Sequence, residues 1–143
     1  MIGQRILRLT EACNQALTTA SVIGREFDFR LLEMLTESVT ADELLDLLDE
    51  AILARIIEDL PGSVARYQFR HALKQQTWSE GISSGRKIRL HAKIGEALEK
   101  AFGEEPSEHT AALAHHFTQA VPIVGNEQML RYTLMAGNWA LAT

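Results

Sequence analysis

Cysteine occurs once and aromatic residues make up only 6% of the 143-residue chain. A single cysteine excludes an internal disulfide. Set among helix formers, Cys13 reads as a buried, inert thiol of a reducing compartment. Few aromatics beside plentiful Ala and Leu favour helices over sheet. No run of 18 apolar residues occurs, and residues 1–10 hold no signal-peptide core, so the expectation is a soluble, cytoplasmic chain without membrane contact. Motifs that carry chemistry are missing too. There is no G-x-x-x-x-G-K-[ST] phosphate loop, no G-x-S-x-G, no C-x-x-C and no H-E-x-x-H. We therefore assign no catalytic residue, no metal ligand and no cofactor to this chain.

What is present suffices for a core. Hydrophobic residues are 46% and charged residues 23% of the chain, which argues for one ordinary folded domain or two small ones. The net charge of −5 conceals an asymmetry. Residues 1–60 carry five basic and twelve acidic side chains, residues 61–103 eight and three, and residues 104–143 one and four. A positive band lies between two negative ends.

The stretch 67–78 organises the reading. Tyr67 and Phe69 alternate with Gln68 and Arg70, the period of a half-buried strand. At His71 the period turns helical, placing Leu73, Thr77 and Trp78 on an inward face and Lys74, Gln75 and Gln76 outward. A histidine at such a joint lies where helix N–H groups point outward, a setting suited to a phosphate; the alternative is that His71 merely caps the helix and packs.

Before this stretch, Ile6, Leu9, Ala12, Cys13, Ala16, Leu17 and Ala20 predict an amphipathic helix over about 4–21, ended by Gly24. Asp28 caps a short helix carrying Leu31, Leu32 and Leu35. Thr40 and Glu43 form a capping box that opens a third helix to about residue 55, its core face Leu44, Leu45, Leu48, Ile52 and Leu47. Two short strands, at 56–60 and 66–70, flank a Pro61-Gly62 turn. Three helices and a hairpin are the order of a winged helix-turn-helix. Beyond it come two helices broken near Ser83-Ser84-Gly85, a helix over 108–120, a loop over 122–126 and a last helix over 128–142. Small residues Ala136, Gly137 and Ala140 permit close helix contact there. The expected fold is mostly α: a winged-helix domain over 1–82, then a helical arm over 83–143 that begins a TPR-like α-solenoid. One helix pair cannot bury its own face, so the chain reads as a piece of a longer protein.

Gly24-Arg25-Glu26-Phe27, Phe69-x-His71-x-Leu73 and Leu90-His91, in the setting of "LLDLLDEAILARIIED" and "HTAALAHHFTQA", carry a resemblance over nearly the whole chain. It resembles the region following the ATPase module in STAND-type regulators, the AAA-related NTPases of LuxR-type and MalT-like bacterial activators and of cyclase- or kinase-linked proteins. The resemblance implies a regulatory lid on a nucleotide site, with ATP or ADP held by the parent protein. His71 matches the family's phosphate-sensing histidine, with Arg70 where the motif has Met and Ala72 where it has Asp. The implied partners are an intramolecular ATPase module, downstream helical repeats and a protein effector.

Two alternatives differ in class. The first, a DNA-binding winged-helix regulator, is opposed by Asp42, Glu43, Asp46, Asp49 and Glu50 on the third helix, which would repel phosphates. The second is a protein-interaction adaptor whose partner docks on the final helix or on Arg86, Arg89 and Lys93, spaced as one helical stripe. That stripe suits an anion or nucleic acid and otherwise reads as a solvated face or one paired with the acidic first half. His109, His115 and His116 have no carboxylate at ligand spacing and read as helix-surface histidines at a packing seam. Glu26 beside Arg25 reads as a turn ion pair.

Overall fold

The computed structural model describes residues 9–62, 64–104, 106–107 and 109–142. The chain divides into two compact units, Met1–Ser83 and Ser84–Thr143. It is mostly helical, with one small antiparallel sheet.

The first unit runs α1 (Glu11–Ile23), β1 (Glu26–Asp28), α2 (Phe29–Leu35), α3 (Ala41–Leu53), β2 (Ile57–Asp59), β3 (Arg66–Phe69) and α4 (Ala72–Glu80). Its sheet order is β1-β3-β2, which with this helix order is a winged helix-turn-helix. The caps follow from residue chemistry. Asp28 accepts a 2.7 Å bond from the Leu31 N–H, and the Thr40 hydroxyl accepts one of 3.1 Å from Glu43. The α1 cap is Thr10, which accepts from the Cys13 N–H at 3.1 Å while its own N–H donates to the Glu50 carboxylate of α3 at 3.0 Å. The expected start of this helix, residues 4–8, lies outside the described residues.

β1 is additional to the expected hairpin. It has only three residues with one, Phe27, buried, too little for an alternation to register. It exists because β3 offers it a partner forty residues on, pairing Phe27 with Tyr67 and Glu26 with Gln68. The Phe27 ring then stacks on Tyr67 at 5.8 Å and lies 5.7 Å from Phe69. These rings join Cys13, Leu17, Leu32, Leu44, Leu48 and Ile57 in one core.

Three expectations are corrected. α4 is turned in part: Trp78 packs against the core as expected, but Leu73 is 75% exposed and Thr77 is exposed, while Lys74 and Gln75 are half-buried. The polar side chains decide it, because Gln75 Nε2 donates to the Ser21 carbonyl at 2.9 Å and Lys74 Nζ to the Arg55 carbonyl at 2.6 Å. Both carbonyls lie at the C-terminal ends of helices, α1 and α3, where carbonyls need donors. Leu45 is exposed, and Ala51 takes its place on the inner face of α3. Glu26 pairs with Arg66 across the sheet at 3.9 Å, while Arg25 Nε donates to the Phe69 carbonyl at 3.5 Å.

The second unit runs α5 (Ser84–Phe102), α6 (Thr110–Gln119), α7 (Val121–Val124) and α8 (Glu127–Ala142). The loop expected at 122–126 is instead mostly the short turn α7, with Pro122 near its start, where proline's missing N–H costs nothing. α6 packs against both α5 and α8. Ile94, Leu98, Leu113, Phe117, Ala120 and Tyr132 are buried between them. Two glycines allow this closeness. A Cβ on Gly95 would stand 3.0 Å from the Phe117 ring, and one on Gly103 would meet the Glu99 carbonyl at 2.5 Å and the Tyr132 hydroxyl at 2.9 Å. Ala136 is half-buried, whereas Gly137 and Ala140 face outward from α8 with Leu130, Leu134 and Leu141.

Candidate functional site

In the first unit, the strand-to-helix joint is built by β3. The Phe69 N–H donates to the Arg25 carbonyl at 2.9 Å and the Arg70 N–H to the Ile56 carbonyl at 3.0 Å, so the backbone is held up to the last residue before the turn. His71 follows as the N-cap of α4, extended at φ −141 and ψ 146, with no side-chain capping bond. Its carbonyl accepts from the N–H groups of Lys74 and Gln75, and its imidazole is exposed. Arg70 is exposed beside it, with its guanidinium 4.0 Å from Glu58. The joint therefore presents an exposed imidazole at a helix N-terminus, with a partly neutralised guanidinium on the preceding residue. Leu73, two residues on in the first turn of α4, is also exposed.

α3, the helix a winged-helix reader would insert into DNA, exposes Asp42, Glu43, Asp46 and Asp49, with half-buried Glu50 committed to Thr10. Arg55 follows the helix in the left-handed region, at φ 63. This face is anionic.

In the second unit, Arg86, Arg89 and Lys93 are all exposed along α5, the stripe that their spacing predicts. The opposite side of α5 carries His91, 6% exposed, and here the sequence argument missed a partner. His91 Nδ1 lies 2.9 Å from His116 Nδ1 on α6, and His116 is 2% exposed. It is not a surface histidine. His115 is exposed, and its ring meets His91 edge-on at 5.7 Å and His116 at 5.0 Å. One ligand nitrogen from each of the three rings lies within 4.8 Å of the others. Burial first, then the charges of His115 and Lys87, push the His91 imidazole down to about 4, so it stays neutral at physiological pH. His109 stands apart from this group, stacked on Phe102 at 3.8 Å.

The Tyr132 hydroxyl donates to Glu99 at 2.6 Å. Burial, then this carboxylate, raise the phenol to about 12 and keep it a donor. A cleft of about 420 Å³ follows the end of α5, lined by Lys100, Phe102, Gly103, Glu104, Pro106 and Ser107.

Sequence spacing located the joint and the basic stripe because both are local. It did not pair His91, noted only as part of Leu90-His91, with His116 twenty-five residues on, because a histidine on the apolar side of a helix carries no local signal of a distant partner. No helix among the described residues is long and apolar enough to cross a membrane. No family model, curated protein or solved structure matches this chain.

Proposed function

We propose that this chain is a non-catalytic regulatory segment of a STAND-type signalling ATPase, coupling the nucleotide state of an upstream ATPase module to a downstream helical scaffold. The observation that carries the reading is His71. It is an exposed imidazole at the first turn of α4, free of capping duty, on a backbone fixed by the sheet. A group so placed can donate to a phosphate oxygen, and the helix N-terminus adds favourable N–H groups. Arg70 adds a positive charge, and exposed Leu73 offers an apolar contact in the first turn of the same helix. The acidic face of α3 supports a lid rather than a reader of DNA. The parent protein supplies ATP or ADP, and docking through His71 favours the ADP-bound, closed form of a two-state equilibrium. On the second unit, exposed Leu130, Leu134 and Leu141 support stacking of further helices on α8.

The first test is the coding sequence ahead of Met1. An in-frame phosphate loop there is the expected result, and a stop codon without one overturns the proposal. In the intact protein His71→Ala should speed ADP release; unchanged release removes His71 from the mechanism.

A second reading, an adaptor module, is favoured by the exposure of Arg86, Arg89 and Lys93 on one stripe of α5. Reversing Arg86 and Arg89 to Glu should abolish capture of an acidic partner while leaving ADP release unchanged.

A further inference from the structure

We propose that His91, His115 and His116 form a binding site for a divalent first-row transition ion, of which zinc is the representative. The inference does not depend on the nucleotide reading, since it lies wholly within the second unit.

Three imidazoles converge from two helices. His91 comes from α5, and His115 and His116 are consecutive on α6, where successive side chains diverge by about 100°. That divergence brings His116 into the seam and leaves His115 at its rim, so one ligand is exposed and two are buried. Ligand nitrogens bound to zinc at about 2.0–2.1 Å in a tetrahedral set stand roughly 3.3 Å apart. His91 and His116 present theirs at 2.9 Å, tighter than that, and the three nitrogens lie within 4.8 Å of one another, up to about 1.5 Å wider. Binding therefore requires the exposed His115 ring to swing inward towards the two buried ones, and its edge, open to solvent, gives the ion access and a fourth position for water.

Without an ion, the two Nδ1 atoms at 2.9 Å are satisfied by sharing one proton, one ring donating and the other accepting. That arrangement uses two of the rings and leaves His115 with only its edge contacts to them. An ion uses all three and requires only that His91 and His116 carry their protons on Nε2. The donor set selects the metal. Neutral imidazoles without a carboxylate or thiolate suit zinc, cobalt, nickel or copper and disfavour magnesium and calcium. Bound there, the ion would pin α5 to α6.

The test uses the full chain, stripped with chelator and titrated with Co(II) and then Zn(II), followed by visible absorption and calorimetry. One equivalent of Co(II) should bind with the intense bands of a low-coordinate nitrogen site, and Zn(II) should bleach them. His115→Gln is the deciding variant because the exposed ring is not needed for folding; it should weaken binding at least ~10-fold. His91→Gln, checked for native helicity, should weaken it as much, and His109→Gln and His71→Gln should leave it unchanged. Mg(II) should not compete. Absence of Co(II) binding below millimolar concentration overturns the proposal, as does tight binding that His115→Gln and His91→Gln leave intact.

Discussion

Replacing Gly95 by alanine sets two effects of similar size against each other within one helix. Alanine in a helix interior is favoured over glycine by about 1 kcal/mol. Against it stands the Phe117 ring, whose Cζ would lie 3.0 Å and whose two ε carbons would lie 3.1 Å from the new methyl. Extra bulk in a packed core costs about 1–3 kcal/mol unless the neighbour can yield. Phe117 has little room to yield. It is 1% exposed and stacks at 5.6 Å and 14° on Tyr132, which Glu99 holds by its hydroxyl. The expected net effect is a loss of about 1 kcal/mol. Gly137→Ala supplies the comparison, since nothing lies within 4 Å of that position and the helical preference acts alone, adding up to about 1 kcal/mol. Urea unfolding in a Trp78→Phe background, followed by Trp139 emission, reports on the second unit, and the cost of the background cancels. A double-mutant cycle with Phe117→Leu should recover about 1 kcal/mol of coupling, because the shorter side chain accepts the methyl. The packing argument is refuted if Gly95→Ala stabilises by as much as Gly137→Ala, or if the cycle shows no coupling.

Three further outcomes are expected. His91 has its pKa lowered from 6.5 to about 4 by burial first and then His115 and Lys87, so its contribution to stability is fully present above pH 6.5 and is lost as pH falls towards 4. Taken whole the shift corresponds to about 3 kcal/mol, and screening at the exposed His115 edge reduces it to roughly 1–2 kcal/mol; in chelator, His91→Gln should flatten that slope of unfolding free energy between pH 6.5 and 4, and an unchanged slope refutes the assignment. The Cys13 thiol, wholly buried, is raised to about 12 by burial and then by Glu50. A disulfide reagent at pH 8 should therefore label it only when the first unit opens, and rapid labelling of native protein would contradict its burial. Thr40→Ala removes the hydroxyl that accepts from Glu43 and should cost about 1 kcal/mol in the first unit, read by Trp78 emission with Trp139→Phe.

Much of this architecture is local chemistry and was legible in the chain. The helices follow from apolar residues recurring at three and four, and the caps at Asp28 and Thr40 need only a side-chain oxygen three residues before a free N–H. The β2–β3 hairpin follows from alternation around Pro61-Gly62, where Gly62 adopts φ 79. The exposed stripe of Arg86, Arg89 and Lys93 follows from spacing alone. Tertiary structure decided what depends on distant partners. β1 is a strand because β3 pairs with it, and three residues carry no period of their own. α4 faces as it does because the carbonyls of Ser21 and Arg55, remote in sequence, accept from Gln75 and Lys74. Leu73 is outside for that reason, although apolar. The three histidines met only when α5 packed on α6: helical periodicity relates residues within a few turns, whereas the approach of His91 to His116 is set by the small Gly95 beneath the Phe117 ring and the helix separation it allows.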